Sequence, residues 1–319
     1  MGSADREARS ISSKWSLLHP LSYIASACLP IRAARTPWRA PVRPFYHEFA
    51  WAYAAILDAP VAQRCDFIER VLRRLRLREP VRLLDAGCGP GQYSADLAQR
   101  GFQVVGLDAS EPFVRQAQQT YGAHPHAPRF VQENLLDLGP PGDGGLFDGI
   151  LCRGVLNDLV GVAPRQRVMH AFARVLRPGG MLLFDVREWT MTARRIAQNP
   201  TFVKEVATER GVVTFRSVTR LDPPTRQLHI HEHHHLHGLG EESERSYDFV
   251  MQCWTREEVT DALVAAGFRV IEEWGAYDER VPPGATDRLV VAACLHVNGS
   301  GSSVASAHPS LEEPRDEPP

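Results

Sequence analysis

The sequence predicts an α/β protein built on a parallel, doubly wound sheet. Apolar strands alternate with amphipathic helices between residues 81 and 186, and a glycine-rich turn joins the first of these strands to its helix. Beyond residue 205 the pattern changes to long strands with alternating side chains, which indicates antiparallel pairing. Because alternating strands and helices return the chain to the same edge of a sheet, the first pattern favours a parallel sheet.

The elements of the parallel part follow from the spacing of their apolar residues. Strands are predicted at residues 81–85, 103–107, 129–134, 146–152 and 181–186, with helices at 61–78, 92–100, 111–121 and 165–176. Ser110 is a candidate N-cap, since its hydroxyl can accept a hydrogen bond from the first turn. The segment 177–180, Arg-Pro-Gly-Gly, ends the last of these helices.

The later part of the chain contains an antiparallel insertion after the fifth strand. Three strands are predicted at 211–221, 226–236 and 243–254, with a turn at 222–225. A helix at 255–266 follows, and Thr255 with Glu258 forms a capping-box pattern at its start. Two further strands, 267–274 and 288–297, complete the sheet.

The two ends of the chain differ in composition from the middle. Residues 1–44 contain six basic residues after Glu7 and no acid, which is typical of a disordered extension or, in a eukaryote, of a mitochondrial targeting segment. Residues 298–319 are rich in Ser, Gly, Pro and acids and are predicted to be a disordered tail. The folded domain is therefore expected at 45–297, with its insertion at 205–254.

The overall composition excludes several classes of function. A net charge of −2 gives no sign of a polyanion partner, so nucleic acid is not expected as a ligand. No apolar run approaches the length of a membrane span, and no membrane contact is expected. The six cysteines form no C-x-x-C pair. They are predicted to be reduced thiols of a cytoplasmic protein.

The glycine-rich turn and two acids predict a nucleoside site. Asp85 closes the first strand, and Gly87, Gly89 and Gly91 follow it at alternate positions. Glycine allows positive φ and close approach of a ligand, while Asp108 at the end of the second strand suits the two hydroxyls of a ribose. The spacing differs from the dinucleotide pattern G-x-G-x-x-G, and a carboxylate at Asp85 would repel a diphosphate but attract an ammonium group. S-adenosylmethionine has that ammonium group and a ribose, and it has no phosphate.

This pattern resembles motif I of the class I S-adenosylmethionine-dependent methyltransferases, and the resemblance extends over most of residues 45–297. It implies a Rossmann-like sheet with an antiparallel last strand, and S-adenosyl-L-methionine as the cofactor. The glycines would line the methionine part, Asp108 would hold the ribose, and Asn134 would meet the adenine amine. The cofactor-binding residues that it implies are Asp85, Gly87, Cys88, Gly89, Gly91, Asp108, Ala109, Asn134, Leu135 and Arg153.

The resemblance also indicates where catalytic groups lie. The candidates are Tyr46 in an aromatic segment before the domain, Arg153 and Asn157 after the fourth strand, Glu188 after the fifth, and His233 in the insertion. Each has a structural alternative, since aromatic residues before such a domain also serve as core contacts. Asp158 is interpreted either as a helix cap or as a group near the transferred methyl group of the cofactor. Asp137 is the alternative to Asn134 as the residue that contacts the adenine, and otherwise caps a turn.

The run His-Ile-His-Glu-His-His-His-Leu-His at 229–237 permits three interpretations. In an extended strand His229, His231, His233, His235 and His237 share one face, and His234 lies on the other. One strand spaces alternate residues too widely to close a tetrahedral metal site, so no metal is assigned. A histidine base over the substrate, and solvated or interface histidines, both remain open.

The combined prediction is an enzyme that transfers a methyl group to nitrogen or oxygen of a small-molecule acceptor. The alternatives are an NAD-dependent oxidoreductase and a methyltransferase-like binding protein without activity. Family members use the antiparallel insertion as a substrate roof or as a dimer surface, so a homodimer through residues 205–254 is a further expectation.

Overall fold

The computed structural model describes residues 44–57, 60–74, 81–140, 145–238 and 241–296. The predicted extension, except Pro44, and the predicted tail lie outside these residues. The helices are α1 (Ala50–Leu57), α2 (Val61–Arg74), α3 (Gln92–Gln99), α4 (Glu111–Tyr121), α5 (Val162–Val175), α6 (Trp189–Gln198) and α7 (Arg256–Ala265). Short 3₁₀ turns lie at Pro44–Tyr46 and Leu135–Asp137.

The strands form two sheets. They are β1 (Arg82–Ala86), β2 (Gln103–Asp108), β3 (Arg129–Gln132), β4 (Phe147–Cys152), β5 (Leu176–Arg187), β6 (Thr201–Thr208), β7 (Gly211–Asp222), β8 (Gln227–Gly238), β9 (Glu241–Gln252), β10 (Phe268–Trp274) and β11 (Arg288–Leu295). The seven-stranded sheet has the order β10-β11-β5-β4-β1-β2-β3. Strands β1 to β5 pair in parallel, whereas β11 is antiparallel to both of its neighbours. The predicted fold class, with its antiparallel last strand, is confirmed.

Helices cover both faces of the large sheet because its central strands are apolar on both sides. Leu83 on β1 packs with Phe67 and Leu72 of α2, and the neighbouring Leu84 packs in the cluster that contains Phe172 of α5. Every residue of β4 is buried. A strand buried on both faces has a continuous apolar sequence, which is why β1 and β4 were recognisable.

The second sheet is antiparallel and has the order β6-β7-β8-β9. Three of its strands match the predicted insertion, and β6 is an additional edge strand. Phe202 and Val203 of β6 are both exposed, so the strand lacks the buried-exposed alternation by which β7 and β8 were predicted. It is held by its antiparallel ladder to β7, which pairs Thr201 with Val218 at one end and Thr208 with Gly211 at the other.

The aromatic segment, defined here as residues 44–57, joins the two sheets. Its Phe45, Phe49 and Ile56 share one buried cluster with Phe215 of β7 and Leu236 of β8. The segment therefore packs on one face of the four-stranded sheet, called the inner face below. The opposite, outer face carries the more exposed side chains of β8.

Local signals for helix starts are correct where the structure tests them. The Ser110 hydroxyl accepts a hydrogen bond from the Phe113 amide and caps α4. Thr255 and Glu258 form both hydrogen bonds of a capping box at α7. Among the described helices, none combines the length and the apolar composition that crossing a membrane requires.

Candidate active site

The carboxyl ends of β1, β2 and β4 meet at one edge of the large sheet. Asp85 pairs with Gly106 on one side and with Leu151 on the other, so the three parallel strands end at the same level. In doubly wound sheets this edge is where ligands bind. The structure thus brings the loop after β1, Asp108 after β2 and Arg153 after β4 into one region, as the sequence predicted.

The turn after β1 is fixed by the backbone of β2. The amides of Gly87 and Cys88 both donate hydrogen bonds to the carbonyl oxygen of Leu107, at 2.7 and 2.9 Å. Gly87 has φ +82, and a Cβ added to it would lie 2.3 Å from Cγ2 of Val155. The buried side chain of Cys88 faces the core beside α4. Gly87 is therefore required by the packing of the turn.

Two glycines beside this turn face open space. A Cβ built on Gly89 (φ +55) would meet no atom within 4 Å, and the same is true of Gly154 (φ +68) after β4. Asp185 of β5 holds the second of these turns, because its Oδ1 accepts a hydrogen bond from the Gly154 amide at 2.6 Å. Asp185 also forms an ion pair with Arg288. A ligand can therefore approach the backbone closely at Gly89 and at Gly154, since neither position is filled by a neighbouring side chain.

Gly91 has a different role from Gly89. Its φ is +82, and an added Cβ would lie 2.7 Å from Phe130 and 2.8 Å from Ala117. It precedes the first residue of α3 and allows the helix to begin close to β3 and α4. Gly91 therefore shapes the turn through helix packing.

Asp108 presents a carboxylate at the end of β2. Its Oδ2 accepts a hydrogen bond from the Gly89 amide and its Oδ1 accepts one from the Ser110 amide, both at 2.8 Å. Each carboxylate oxygen can accept a further hydrogen bond. Burial raises the pKa of Asp108 to about 6, although the backbone hydrogen bonds oppose this rise. The group is therefore ionised at neutral pH and fixed in orientation for a pair of hydroxyl donors.

Asp85 is more enclosed than the sequence predicted. Its carboxylate is 2% exposed and accepts a hydrogen bond from the Ser94 hydroxyl at 2.6 Å. Burial raises its pKa, and the charge of Arg153 opposes this rise. The cation expected next to Asp85 is thus supplied by the protein itself. An ammonium group of a ligand would reach this carboxylate only after neighbouring side chains move.

Arg153 lies in an aromatic and acidic environment directly after β4. The centre of its guanidinium is 3.1 Å from the centroid of the Tyr93 ring and 5.9 Å from that of Tyr277. Its Nε is buried and has no hydrogen-bond partner. Burial lowers the pKa of Arg153, but the tyrosines together with Asp85 and Asp185 outweigh that effect and raise it. Arg153 is therefore a half-buried cation whose Nε is enclosed.

The residues assigned to the adenine lie around the third strand. Asn134 caps the 3₁₀ turn that follows β3, since its Oδ1 accepts a hydrogen bond from the Leu136 amide at 3.0 Å. Leu135 is buried and Ala109 is exposed. The Asn134 oxygen keeps one lone pair for a ligand, so its assignment stays a prediction. Asp137 is exposed and pairs with Arg167 at 2.9 Å.

Tyr46 of the aromatic segment bridges the ends of two strands. Its carbonyl oxygen accepts a hydrogen bond from the Ser110 hydroxyl, just after β2. Its own hydroxyl donates to Oδ2 of Asp158, after β4, at 3.4 Å. The Tyr46 ring also lies 5.8 Å from that of Phe113. The segment therefore crosses the edge of the sheet above the candidate site.

Two of the predicted catalytic residues have structural partners. The Asn157 amide donates to the carbonyl oxygen of Gln252 at 2.9 Å and accepts from the amide of Arg187 at 2.8 Å. The Glu188 carboxylate accepts hydrogen bonds from two amides in the first turn of α6. These hydrogen bonds join distant chain segments at Asn157 and cap a helix at Glu188, and the catalytic roles of both residues stay predictions.

His233, the predicted histidine base, lies on the outer face of the four-stranded sheet, and its role as a base stays a prediction. On that face its Nε2 is 2.6 Å from Oε1 of Glu244. The neighbouring His234 is on the inner face against the aromatic segment and is fully buried. The alternation of the strand separates the two faces as predicted, and packing decides which face is covered. Among the described residues no group of histidines, cysteines and acids could hold a metal ion.

Several residues of the site were not assigned from the sequence. Ser94, Tyr93 and Asp185 surround the buried ions, and their contacts join positions far apart in the chain. The sequence leaves the role of Asp158 open, and only the fold places it beside Tyr46, 112 positions away. One signal was available in the strand pattern, because alternation groups His234 with Glu232.

A cavity elsewhere on the large sheet does not belong to this site. It opens beside β1, β2 and β3, and its lining includes Leu84, Val105, Leu107, Gly139 and Phe147. None of the candidate residues lines it. The edge at the carboxyl ends of β1, β2 and β4, where Gly89 and Asp108 lie, is therefore the better candidate for a cofactor.

Comparisons with known proteins agree with this arrangement. Residues 84–184 match a family model described as a methyltransferase domain. A provisionally named methyltransferase of Geobacillus sp. (strain WCH70) is 27% identical over 257 residues, which cover 78% of this chain and 98% of that protein. Glycine N-methyltransferase of Rattus norvegicus is 34% identical over 121 residues, covering 34% of this chain and 41% of that protein.

Solved structures show the same fold at low identity. An S-adenosylmethionine-dependent methyltransferase from Clostridium acetobutylicum superposes with a TM-score of 0.67 at 15% identity, covering 78% of this chain and 98% of that one. A sugar N-methyltransferase from Streptoalloteichus sp. gives a TM-score of 0.62 at 20% identity, with coverages of 75% and 90%.

Proposed function

We propose that this chain, a class I S-adenosylmethionine-dependent methyltransferase by family, transfers a methyl group to nitrogen or oxygen of a small-molecule acceptor. Its cofactor is S-adenosyl-L-methionine. The observation that carries the proposal is the Asp108 carboxylate, which two backbone amides hold beside the open space at Gly89.

The residues of this edge fit that cofactor. Asp108 has acceptor capacity for two ribose hydroxyls. Gly89 and Gly154 leave room for a ligand next to the backbone, and a Cβ at either position would enter that room. Arg153 is a half-buried cation after β4 whose charge acts on Asp85, and we propose it as the partner of a ligand carboxylate. No phosphate is required for any of these contacts.

When bound, the cofactor supplies an activated methyl group on a sulfonium, so the protein mainly provides alignment and exclusion of water. We propose that Tyr46 covers the space from above, because it contacts both Ser110 and Asp158. An amine or hydroxyl acceptor must lose a proton in the reaction. Asp158 is the carboxylate proposed to receive it, and Tyr46 orients Oδ2 for this purpose. The test is Asp158→Asn, which should slow methyl transfer while leaving cofactor affinity nearly unchanged.

The acceptor class is supported by the chemistry of relatives. Glycine N-methyltransferase acts on nitrogen, a ubiquinone biosynthesis enzyme of Alkalilimnicola ehrlichii is an O-methyltransferase, and the Streptoalloteichus protein is a sugar N-methyltransferase. We propose a small organic amine or alcohol on this basis. A homodimer through the four-stranded sheet stays part of the proposal. We also propose a cytoplasmic location, because Cys65, Cys88, Cys152 and Cys253 are buried free thiols.

Calorimetry on the full chain tests the cofactor assignment. S-adenosylmethionine and S-adenosylhomocysteine should bind at one site, and NAD should not bind. Asp108→Ala should weaken binding by about 1.5–3 kcal/mol, the value of hydrogen bonds to a charged group. Asp137→Ala is the matched control, because Asp137 is an exposed acid after β3 that pairs with Arg167. Equal losses for the two variants, or tight NAD binding, would refute the assignment.

A turnover screen tests the reaction itself. Release of S-adenosylhomocysteine would be measured over amines, alcohols and carboxylates of different ring size. Turnover with an amine or alcohol is the expected result. Cofactor binding without turnover of any acceptor would favour the alternative of a binding protein without activity.

A further inference from the structure

Two buried polar side chains, Glu232 and His234, form a hydrogen-bonded group with the half-buried Tyr247 on the inner face of the four-stranded sheet. The Tyr247 hydroxyl donates a hydrogen bond to Oε2 of Glu232 at 2.6 Å and lies 2.8 Å from Nε2 of His234. Nε2 of His234 is 3.5 Å from the same carboxylate oxygen. Glu232 and His234 are both buried, so this group is shielded from solvent, and neither the cofactor site nor the proposed transfer step uses it.

The hydrogen bonds fix the orientation of the His234 ring. A tyrosine hydroxyl has a single hydrogen, and Tyr247 donates it to Glu232. The tautomer consistent with this geometry has hydrogen on Nε2, which donates to the phenol oxygen. Nδ1 is buried and has no hydrogen-bond partner. The polar contacts of the ring are therefore confined to its Nε2 side, where Tyr247 and Glu232 lie.

The other sides of the ring meet the aromatic segment. Ring centroids of Phe45 and Phe49 lie 4.9 and 4.7 Å from that of His234. Phe215 of β7 lies at 4.9 Å and completes the enclosure. Aromatic pairs at these separations are attractive and depend on the relative orientation of the rings. His234 is therefore a contact point between the segment and the sheet.

Phe45 and Phe49 flank Tyr46 in the sequence, and Tyr46 lies over the candidate site. Its carbonyl oxygen and its hydroxyl contact Ser110 and Asp158, which belong to the large sheet. A change in the orientation of the His234 ring would move Phe45 and Phe49, and the backbone would transmit this movement to Tyr46. The aromatic segment therefore contacts His234 on one side, through Phe45 and Phe49, and the large sheet on the other, through Tyr46.

We infer that His234 is a positioning residue. Its ring, oriented by Tyr247 and Glu232, seats Phe45 and Phe49 and so holds Tyr46 over the cofactor site. The inference rests on the proposed function only in taking the space below Tyr46 as the cofactor's position. It assigns the inward-facing histidine of the run 229–237 a role that the outward-facing His233 does not have.

Hydrogen exchange measured by mass spectrometry on the intact chain tests the inference without any ligand. Tyr247→Phe removes the hydroxyl and keeps the ring, and it should speed exchange of peptides from residues 44–57 by about two- to tenfold, the effect of losing one hydrogen bond. Peptides from residues 81–108 should be unchanged. Glu232→Gln keeps an acceptor for Tyr247 and should retain slow exchange.

The matched control is His235→Ala, which removes a histidine from the outer face of the same strand. It should leave exchange in 44–57 as in the unmodified chain. Unchanged exchange in Tyr247→Phe would overturn the inference. Equal acceleration in His235→Ala, or acceleration spread over all peptides, would overturn it as well, because it would indicate general loss of stability.

Ligand affinity gives a second readout. S-adenosylhomocysteine should slow exchange in 44–57 of the unmodified chain, and Tyr247→Phe should raise its Kd by about two- to tenfold. If the unmodified chain binds no S-adenosylhomocysteine, the proposed function fails, while the ligand-free exchange data still decide the role of His234.

Discussion

At the scale of single residues, Asp108 shows how the fold prepares a charge for a ligand. Two backbone amides hold its carboxylate, yet burial raises its pKa to about 6. A solvated aspartate would be ionised at all physiological pH values. The Asp108 carboxyl, in contrast, loses its proton at a pH at which ligand binding can be measured. The contribution of its charge to binding can therefore be tested by changing the pH.

Cofactor affinity should depend on pH through Asp108. The ionised form accepts two hydroxyl hydrogen bonds, so binding should be strongest above the pKa and weaken as pH falls below about 6. One pH unit below the pKa, Kd should rise about tenfold because only about a tenth of the carboxyl is ionised. Calorimetry with S-adenosylhomocysteine between pH 5 and 8 measures this.

Asp108→Asn is the control for that measurement. The amide cannot ionise, so this variant should bind more weakly at neutral pH and show a flat profile between pH 5 and 7. The same slope in Asp108→Asn and in the unmodified chain would assign the titration to another group and contradict the prediction.

At the scale of elements, the turn between β1 and α3 contains two glycines that are needed for different physical reasons. Gly87 has φ +82 and no room for a Cβ, since Val155 would be only 2.3 Å away. Gly89 has φ +55 and open space around it. Packing requires the first glycine, whereas the second keeps a place free for a ligand.

The two alanine variants of this turn should therefore behave differently. Gly87→Ala combines backbone strain with a steric clash and should lower the free energy of unfolding by more than about 2 kcal/mol. Gly89→Ala should lower the free energy of unfolding by about 1–2 kcal/mol, from backbone strain alone. Its loss of binding free energy for S-adenosylhomocysteine should be larger than this loss of stability. Denaturant unfolding and calorimetry on both variants give the comparison. If Gly89→Ala bound the ligand normally, the space beside Gly89 would not be the cofactor's position.

Elements also explain which catalytic candidates could be assigned from the sequence. Asn157 and Glu188 follow strands of the parallel sheet, where functional residues are expected. The hydrogen bonds of Asn157 with Gln252 and Arg187 depend on where the ends of β9 and β5 lie, whereas Glu188 accepts only from amides in the next turn of the chain. Sequence position therefore predicted these loops as catalytic, and the structure adds the hydrogen-bond partners of each side chain there.

At the scale of the whole molecule, the site depends on segments far apart in the chain. Tyr46, Ser110 and Asp158 come from the aromatic segment and from the loops after β2 and β4. A ligand that contacts all three regions binds only the folded chain. Its binding free energy should therefore add to the stability of the fold.

S-adenosylhomocysteine should raise the unfolding midpoint of the full chain. At a concentration of about 100 times Kd the stabilisation should be about 2.7 kcal/mol. NAD at the same concentration should have no effect, and Asp108→Asn should reduce the shift. Thermal unfolding followed by circular dichroism measures all three. A shift with NAD equal to that with S-adenosylhomocysteine would contradict the cofactor assignment.

The sequence alone determined the class of the fold and predicted the centre of the cofactor site. The apolar runs of β1 and β4, the glycines after Asp85 and the caps at Ser110 and Thr255 are local features, so neighbouring residues specify them. The position of Asp108 followed as well, because parallel strands end at a common edge.

Only the tertiary structure decided which side chains are covered, and by which other elements. Alternation along β8 divides its residues into two faces, but the choice between His233 and His234 depends on where the aromatic segment packs. The same holds for Asp85, which is enclosed by Ser94 and Arg153 from other elements. A strand pattern contains no information about the partner of each face, because that partner is supplied by distant parts of the chain.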